Sequence, residues 1–338
     1  MASTVDLRRL RGFKGRNLLH LAVEGSCVTG RLDVCRFLVE EKGFDANSTS
    51  TEGETPIFVA TDTDSRLLNG AENGVVPLLT YFLGRGGDPA APDAKGCTPL
   101  HNAAQYGHSD AIRLLLSKGV PVDPFYHHGT PLHLAAGNGH DQVLKILLEH
   151  GADPNKLIRR VTPLLMACAG ASLKCIKLLL EAGADVNFHS SPGPTMLLAA
   201  VGAGSADVVN FLLEIGADPN VHDGYGKFPI ILAAAHERRK LVEILLPQTN
   251  PIPSMPDWTV DGIVNTMKNL PREMVLEPIA NAKSQGKEAF ANGDYGNAVD
   301  CYTRKYGAAV AAFEEALKLD PANDEIKEAL RTVRSRRR

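Results

Sequence analysis

Residues 98–155 read TPLHNAAQYGHSDAIRLLLSKGVPVDPFYHHGTPLHLAAGNGHDQVLKILLEHGADPN. The quartet Thr-Pro-Leu-His at Thr98 returns at Thr130, and the segments that follow match over most of their length. Self-similarity at such a period marks a repeat architecture, and it governs every later inference about fold. Outward from this pair, further copies read TPLLMACAGASLKCIKLLLEAGADVN from Thr162, TMLLAAVGAGSADVVNFLLEIGADPN from Thr195 and FPIILAAAHERRKLVEILLP from Phe228. Two irregular copies precede them, from Asn17 and Thr55. The starts at 17, 55, 98, 130, 162, 195 and 228 are separated by 38, 43, 32, 32, 33 and 33 residues.

Each recurring residue has a mechanical reason. Threonine before proline places a hydroxyl at a helix N-cap and a fixed φ at the first helical position. Gly107 and Gly139 release the backbone where a first helix ends. A second helix then carries a stripe such as Ile112, Leu115 and Leu116, or Val143, Ile146, Leu147 and Leu148, at spacings of three and four. Gly151, Gly183 and Gly216 close that helix, and Ala-Asp-Pro/Val-Asn begins the turn to the next copy. A single copy cannot bury its own apolar face, so stability must come from stacking.

This pattern resembles the ankyrin repeat, whose period is about 33 residues and whose signature is T-P-L-H-x-A. The resemblance covers about seven copies over residues 15–247 and implies an all-α repeat solenoid of helix-turn-helix units with β-hairpin-like fingers. Repeat one carries about five extra residues around SCVTG and repeat two about ten within TDTDSRLLNGAENG; both are expected between paired helices, where lengthening a loop costs little. His128 stands where the family usually has a hairpin glycine. The seventh copy stops at Pro247 without its Gly-Ala-Asp turn, as a terminal cap would.

Beyond a lead-in at 1–14 and the array, residues 248–281 are expected to be a linker and a short helix. The stretch PQTNPIPSMPDW holds four prolines and reads as a semi-rigid spacer. Ile263, Val264, Met267 and Leu270 then give one apolar helical face, with Trp258, the only tryptophan, pinning the segment to a neighbour. Residues 282–330, with Gly286, Ala289, Tyr295, Ala298, Ala309, Phe313, Ala316 and Pro321, resemble a shortened tetratricopeptide repeat. The order of parts is similar to plant ankyrin–tetratricopeptide proteins, which implies a non-enzymatic scaffold or adaptor linked to stress or defence. Residues 331–338, RTVRSRRR, form a basic tail.

Composition narrows the function classes. Lys and Arg total 36 against 39 Asp and Glu, a formal charge of −3, which argues against nucleic acid or an anionic membrane as the main partner. Six cysteines, none in a CxxC pair, signal neither a disulfide scaffold nor a zinc site, and no apolar run is long enough for a membrane helix. A cytoplasmic protein, also nuclear if the tail is a targeting signal, is the expectation. His20, His101, His133, His108 and His140 fall at repeat-defining positions, where an imidazole bonds the neighbouring repeat's backbone. Cys168 and Cys175 fit small core residues. No catalytic motif is present, so no enzyme, cofactor, metal or small-molecule substrate is expected.

The ankyrin resemblance implies a protein partner on a concave side made of finger tips and first helices. Position by position this gives Lys95, Gln105 and Tyr106; Tyr126, His127 and Asn138; Arg159 and Arg160; and Tyr225 and His236. Tyrosine and arginine are frequent interface hot spots. Gly137, Ala169, Gly170, Gly202 and Ala203 between them imply a shallow groove. Two other readings follow from the C-terminal part. One is a nuclear or nucleic-acid-associated cofactor using the arginine tail. The other is an adaptor for acidic chaperone tails, for which Lys283 matches the first clamp lysine while Lys287 replaces the clamp asparagine and the remaining clamp helices are missing.

Overall fold

A computed structural model describes residues 7, 10–29, 32–62, 75–186, 188, 195–222, 227–252, 255 and 257–269. The described chain is helical, with no strand; an isolated β-bridge joins Tyr126 to Gly129. The expected β-hairpin-like fingers are therefore hydrogen-bonded turns rather than strand pairs, because each is too short for a ladder. The residues divide into two compact units. The first holds residues 1–158 and 162–185, the second 159–161 and 186–338.

Among the described residues, unit one contains five helix pairs. They are α1 (Leu18–Thr29) with α2 (Asp33–Arg36, continued by a π-helical turn over Phe37–Glu41), α3 (Pro56–Thr61) with α4 (Val75–Gly84), α5 (Pro99–Tyr106) with α6 (Ser109–Ser117), α7 (Pro131–Asn138) with α8 (Asp141–Glu149), and α9 (Pro163–Ala169) with α10 (Leu173–Glu181). First helices pack in the order α1, α3, α5, α7, α9, and α4, α6, α8 and α10 form a second layer behind them. Unit two contains α11 (Met196–Ala203) with α12 (Ala206–Glu214), α13 (Pro229–Ala235) with α14 (Arg239–Leu245), and a final helix α15 (Val260–Asn269).

The caps form for the anticipated reason. Thr55, Thr162 and Thr195 each accept an amide three residues on through Oγ1, all at 3.2 Å. The stripe of α8 buries Val143, Ile146 and Leu147, and that of α6 buries Ile112 and Leu115. Residues 26–29 of the segment SCVTG, expected in a loop, instead continue α1, and Gly30 lies outside the described residues. Ser26 and Cys27 are buried there, Ser26 against Cys35 and Cys27 against the Ala60 carbonyl. The insertion of repeat two lies mostly outside the described residues.

A bond not visible within any one repeat ties neighbours together. Asn47 donates through Nδ2 to the Gly86 carbonyl and accepts from the Asp88 amide. Asn155 does the same with Gly183 and Asp185, and Asn220 with Gln248 and Asn250. Each carboxamide replaces a missing strand ladder between turns, satisfying both a donor and an acceptor of the next one. The last of these reaches the start of the expected spacer. Residues 248–250 are held in the register of an inter-repeat turn, and Thr249 is buried with its hydroxyl on the Leu245 carbonyl.

Helix α15 covers the end of unit two by packing on α13 and α14. Ile263, Val264 and Met267 are buried as their spacing predicts, and Trp258 is half-buried. Arg239–Asp261 and Lys268–Glu237 pairs flank this contact. The Gly262 backbone approaches Asp257 so closely that a Cβ would lie 2.2 Å from its carboxyl carbon.

Candidate interaction surface

The histidines of the repeat quartet are structural, and their chemistry shows it. The Thr98 amide donates to His101 Nδ1 at 3.1 Å, so Nε2 carries the proton and donates it to the Gly129 carbonyl of the next repeat at 3.2 Å. His20 makes the same link to the next repeat, with Nε2 2.8 Å from the Glu54 carbonyl, while its Nδ1 lies 2.7 Å from Asn17 Oδ1 and 3.3 Å from the Asn17 amide. Burial lowers both groups, His101 to about 4, so they stay neutral at physiological pH. His140 bonds the Gln105 carbonyl at 2.9 Å. Burial raises the thiols of Cys97, Cys168 and Cys175, that of Cys168 to about 12, which removes thiolate reactivity. Among the described residues no group of three His, Cys, Asp or Glu could hold a metal ion, and no helix is long and apolar enough to cross a membrane.

The anticipated contact residues in unit one fall in two rows. Lys95, Tyr126 and His127 lie on the fingers preceding α5 and α7; Lys95 is exposed, the other two half-buried. Tyr126 packs its ring 4.2 Å from His127 and edge-on to His101 at 5.4 Å, so its finger is anchored to the core below. Gln105 and Tyr106 end α5 and Asn138 ends α7, all half-buried. Asn138 turns its amide back onto the Leu134 carbonyl at 2.9 Å. The Tyr106 hydroxyl bonds the carboxylate of Asp62, at the end of α3. In unit two, Arg159 and Arg160 are exposed in left-handed backbone, at φ 46° and 70°, and His236 is half-buried after α13. Tyr225, Lys283 and Lys287 lie outside the described residues.

The groove inferred from small residues is not what those residues provide in unit one. Gly137 is buried, and a Cβ on Gly170 would meet the Gly137 carbonyl oxygen at 2.4 Å. These two glycines let α7 and α9 approach closely, so they fill space rather than open it.

Two features escaped the sequence reading. Arg16 forms a bidentate pair with Glu54 at 2.8 and 2.9 Å and also reaches Glu24 at 3.2 Å. Burial alone would raise Glu54, but Arg16 and the Ser50 hydroxyl hold its carboxyl below the usual range. Asp62 lies 4.0 Å from Arg16; burial and then the Glu54 charge push its carboxyl up to about 6. The only hint was Glu54 itself, a charge just before Thr55 where the later repeats carry Cys97, Gly129 and Val161. The second feature is a pair of exposed apolar side chains, Phe125 and Leu157, at 70% and 48% exposure.

With this geometry in place, the comparisons define the class. The family described as Ankyrin repeats (3 copies) matches residues 67–158 and 164–253, more than half of the chain, and that described as Ankyrin repeat matches residues 14–51. The chain belongs to the ankyrin-repeat family. The crystal structure of the human ASB11 ankyrin repeat domain is similar at a TM-score of 0.59 and 27% identity, covering 70% of this chain and all of that one. The NAD-dependent deacetylase sir2B of Dictyostelium discoideum is 30% identical over 105 residues, 30% of this chain and 13% of its own length. Ankyrin repeat-containing protein P1E11.10 of Schizosaccharomyces pombe is 39% identical over 49 residues, 14% of this chain and 24% of that protein. The chain thus spans a small part, 13% and 24%, of the length of these two curated relatives. Its repeats indicate a protein–protein interaction scaffold.

Proposed function

We infer that the chain is a non-enzymatic adaptor. In this reading the fingers and first-helix ends of unit one hold a protein partner, with the tetratricopeptide-like region at 282–330 as a second contact. A role in the cytoplasm, in stress or defence signalling, goes with the resemblance to plant ankyrin–tetratricopeptide proteins. One observation carries the reading: Lys95, Gln105, Tyr106, Tyr126 and His127 stay at least partly exposed, while the helix stripes behind them and the repeat histidines are spent on the core. Half-buried tyrosine rings fixed by a neighbour, as Tyr106 is by Asp62 and Tyr126 by His101, enter an interface with little entropy left to lose.

The test is affinity capture with the full chain and with a Gln105→Ala/Tyr106→Ala/His127→Ala variant. A specific protein captured by the parent and lost from the variant, with an unchanged thermal midpoint, supports the surface. Capture that survives the triple substitution discards it.

A further inference from the structure

Repeat two departs from its neighbours in the second helix layer of unit one, and the departure gathers charged groups around one hydroxyl. Tyr81 precedes the fully buried Phe82 of α4; before the corresponding Leu115, Leu147 and Leu179, helices α6, α8 and α10 carry Leu114, Ile146 and Leu178. A phenol brings a polar tip to a position that is apolar in those repeats, and a half-buried tip needs a partner. It finds Glu40, to whose Oε1 the Tyr81 hydroxyl donates at 3.2 Å. Glu40 belongs to the π-helical turn Phe37–Glu41, in which the Lys42 amide bonds the Phe37 carbonyl five residues back. Single π turns of this kind are frequent at functional sites.

Two cations complete the cluster. Arg85, the residue after α4, bonds the same Glu40 Oε1, and its guanidinium lies 5.4 Å from the centre of the Tyr81 ring. Arg36, on α2, places its guanidinium 5.8 Å from that centre and pairs with no carboxylate among the described residues. These three are the charged groups that act on the hydroxyl, one carboxylate against two guanidinium groups. The Arg85 and Glu40 side chains are 46% and 40% exposed, so the cluster lies at the surface.

An anionic oxygen already bridges the hydroxyl and a guanidinium. A phosphate on that hydroxyl would put its own oxygens where Oε1 now sits. Phosphotyrosine carries about −1.5 to −2 charge, which two arginines match and an adjacent glutamate opposes. Guanidinium forks suit phosphate, and the exposed Glu40 is free to turn to solvent.

We propose that Tyr81 is the target of a protein tyrosine kinase, with Arg36 and Arg85 receiving the phosphate in place of Glu40. In that step the Tyr81 oxygen bonds the γ-phosphorus of ATP, the bond to the β-phosphate oxygen breaks, ADP leaves with the electron pair, and the phenol proton passes to the kinase. Because α4 belongs to the layer behind the first helices, the proposal does not rest on the adaptor reading.

The full chain, treated with a broad-specificity tyrosine kinase domain and ATP, should carry phosphate at Tyr81 when mapped by mass spectrometry. Tyr81→Phe should lose that site and keep its thermal midpoint. In phosphorus NMR of the phosphorylated chain, the phosphate should lose its last proton near pH ~5 instead of its ordinary value of about 6. Arg36→Gln/Arg85→Gln should return it to about 6, and Glu40→Gln should leave it near ~5. Both arginines are exposed, so a parent-like thermal midpoint in the double variant separates lost pairing from lost folding. Phosphotyrosine placed at position 81 during translation allows the same titration without a kinase. No phosphate on Tyr81 of the folded chain, titration at the ordinary value, or a value unmoved by the arginine substitutions overturns the proposal.

Discussion

Asp123 accepts the backbone amide of Asp153 through Oδ2 at 2.9 Å, while its Oδ1 is buried without a partner. Asn47, Asn155 and Asn220 do the corresponding work elsewhere, and each adds a bond from Nδ2 to a carbonyl two residues before the amide it accepts. A carboxylate has no proton to give that carbonyl, so this one link between repeats is half made.

Asp123→Asn should complete it. The substitution supplies the missing donor and removes an unsatisfied buried oxygen, a gain of about 1 kcal/mol. Thermal or denaturant unfolding should show a midpoint raised by about 2–4 °C, while Asn155→Asp should lower it by a similar amount. An unchanged or lowered midpoint for Asp123→Asn would show that the carboxylate is satisfied in another way.

Two glycines, one capping α9 and one inside α1, should respond in opposite directions. Gly170→Ala drives a methyl group into the Gly137 carbonyl and should cost about 2 kcal/mol or more as α7 and α9 move apart. Gly25→Ala, inside α1 with open space around its Cβ position, should gain about 0.5–1 kcal/mol from helix propensity. Chemical denaturation of the two variants beside the parent checks both signs.

Acid should loosen unit one through its repeat histidines. His101 takes up a proton at about 4 when folded and at its ordinary 6.5 when unfolded. Its stabilisation is complete above pH 6.5 and is lost as the pH falls from there towards 4, by about 3 kcal/mol. Asp62 works against it. With its carboxyl raised to about 6 from 3.8, its protonation favours the folded state as the pH falls through the same window. Measuring stability against pH in Asp62→Asn removes that opposing slope. The remaining decline between pH 6.5 and 4 should then be smaller in Asp62→Asn/His101→Gln, with His20 supplying what is left.

The end cap of unit two should be testable alone. Ile263 is fully buried where α15 meets α13 and α14. Ile263→Ala should cost about 2–4 kcal/mol. Hydrogen exchange should quicken first in residues 260–269 and then in 239–245. Unchanged exchange in α14 would mean that α15 does not support it.

Much of this fold could be read from residues 98–155, because Thr-Pro starts, glycine stops and apolar stripes are all local signals. Their spacing, continued through the copy at Thr162, is enough to place α5 to α10. What escaped depends on partners distant in sequence. The carboxamide of Asn155 finds Gly183, and the guanidinium of Arg16 finds Glu54, only once repeats are stacked. An insertion such as SCVTG costs least in a loop between paired helices, yet Ser26 and Cys27 find buried partners on α1. On the surface, Tyr106 could be singled out but not its bond to Asp62. Phe125 and Leu157 drew no notice because an apolar residue in a turn reads as core until its exposure is seen.

The most direct measurement is hydrogen–deuterium exchange of the full chain with and without its captured protein partner. Slowed exchange confined to residues 92–106 and 124–138 is the predicted result. Protection confined to α6, α8 and α10, with those fingers and first helices unaffected, would contradict it.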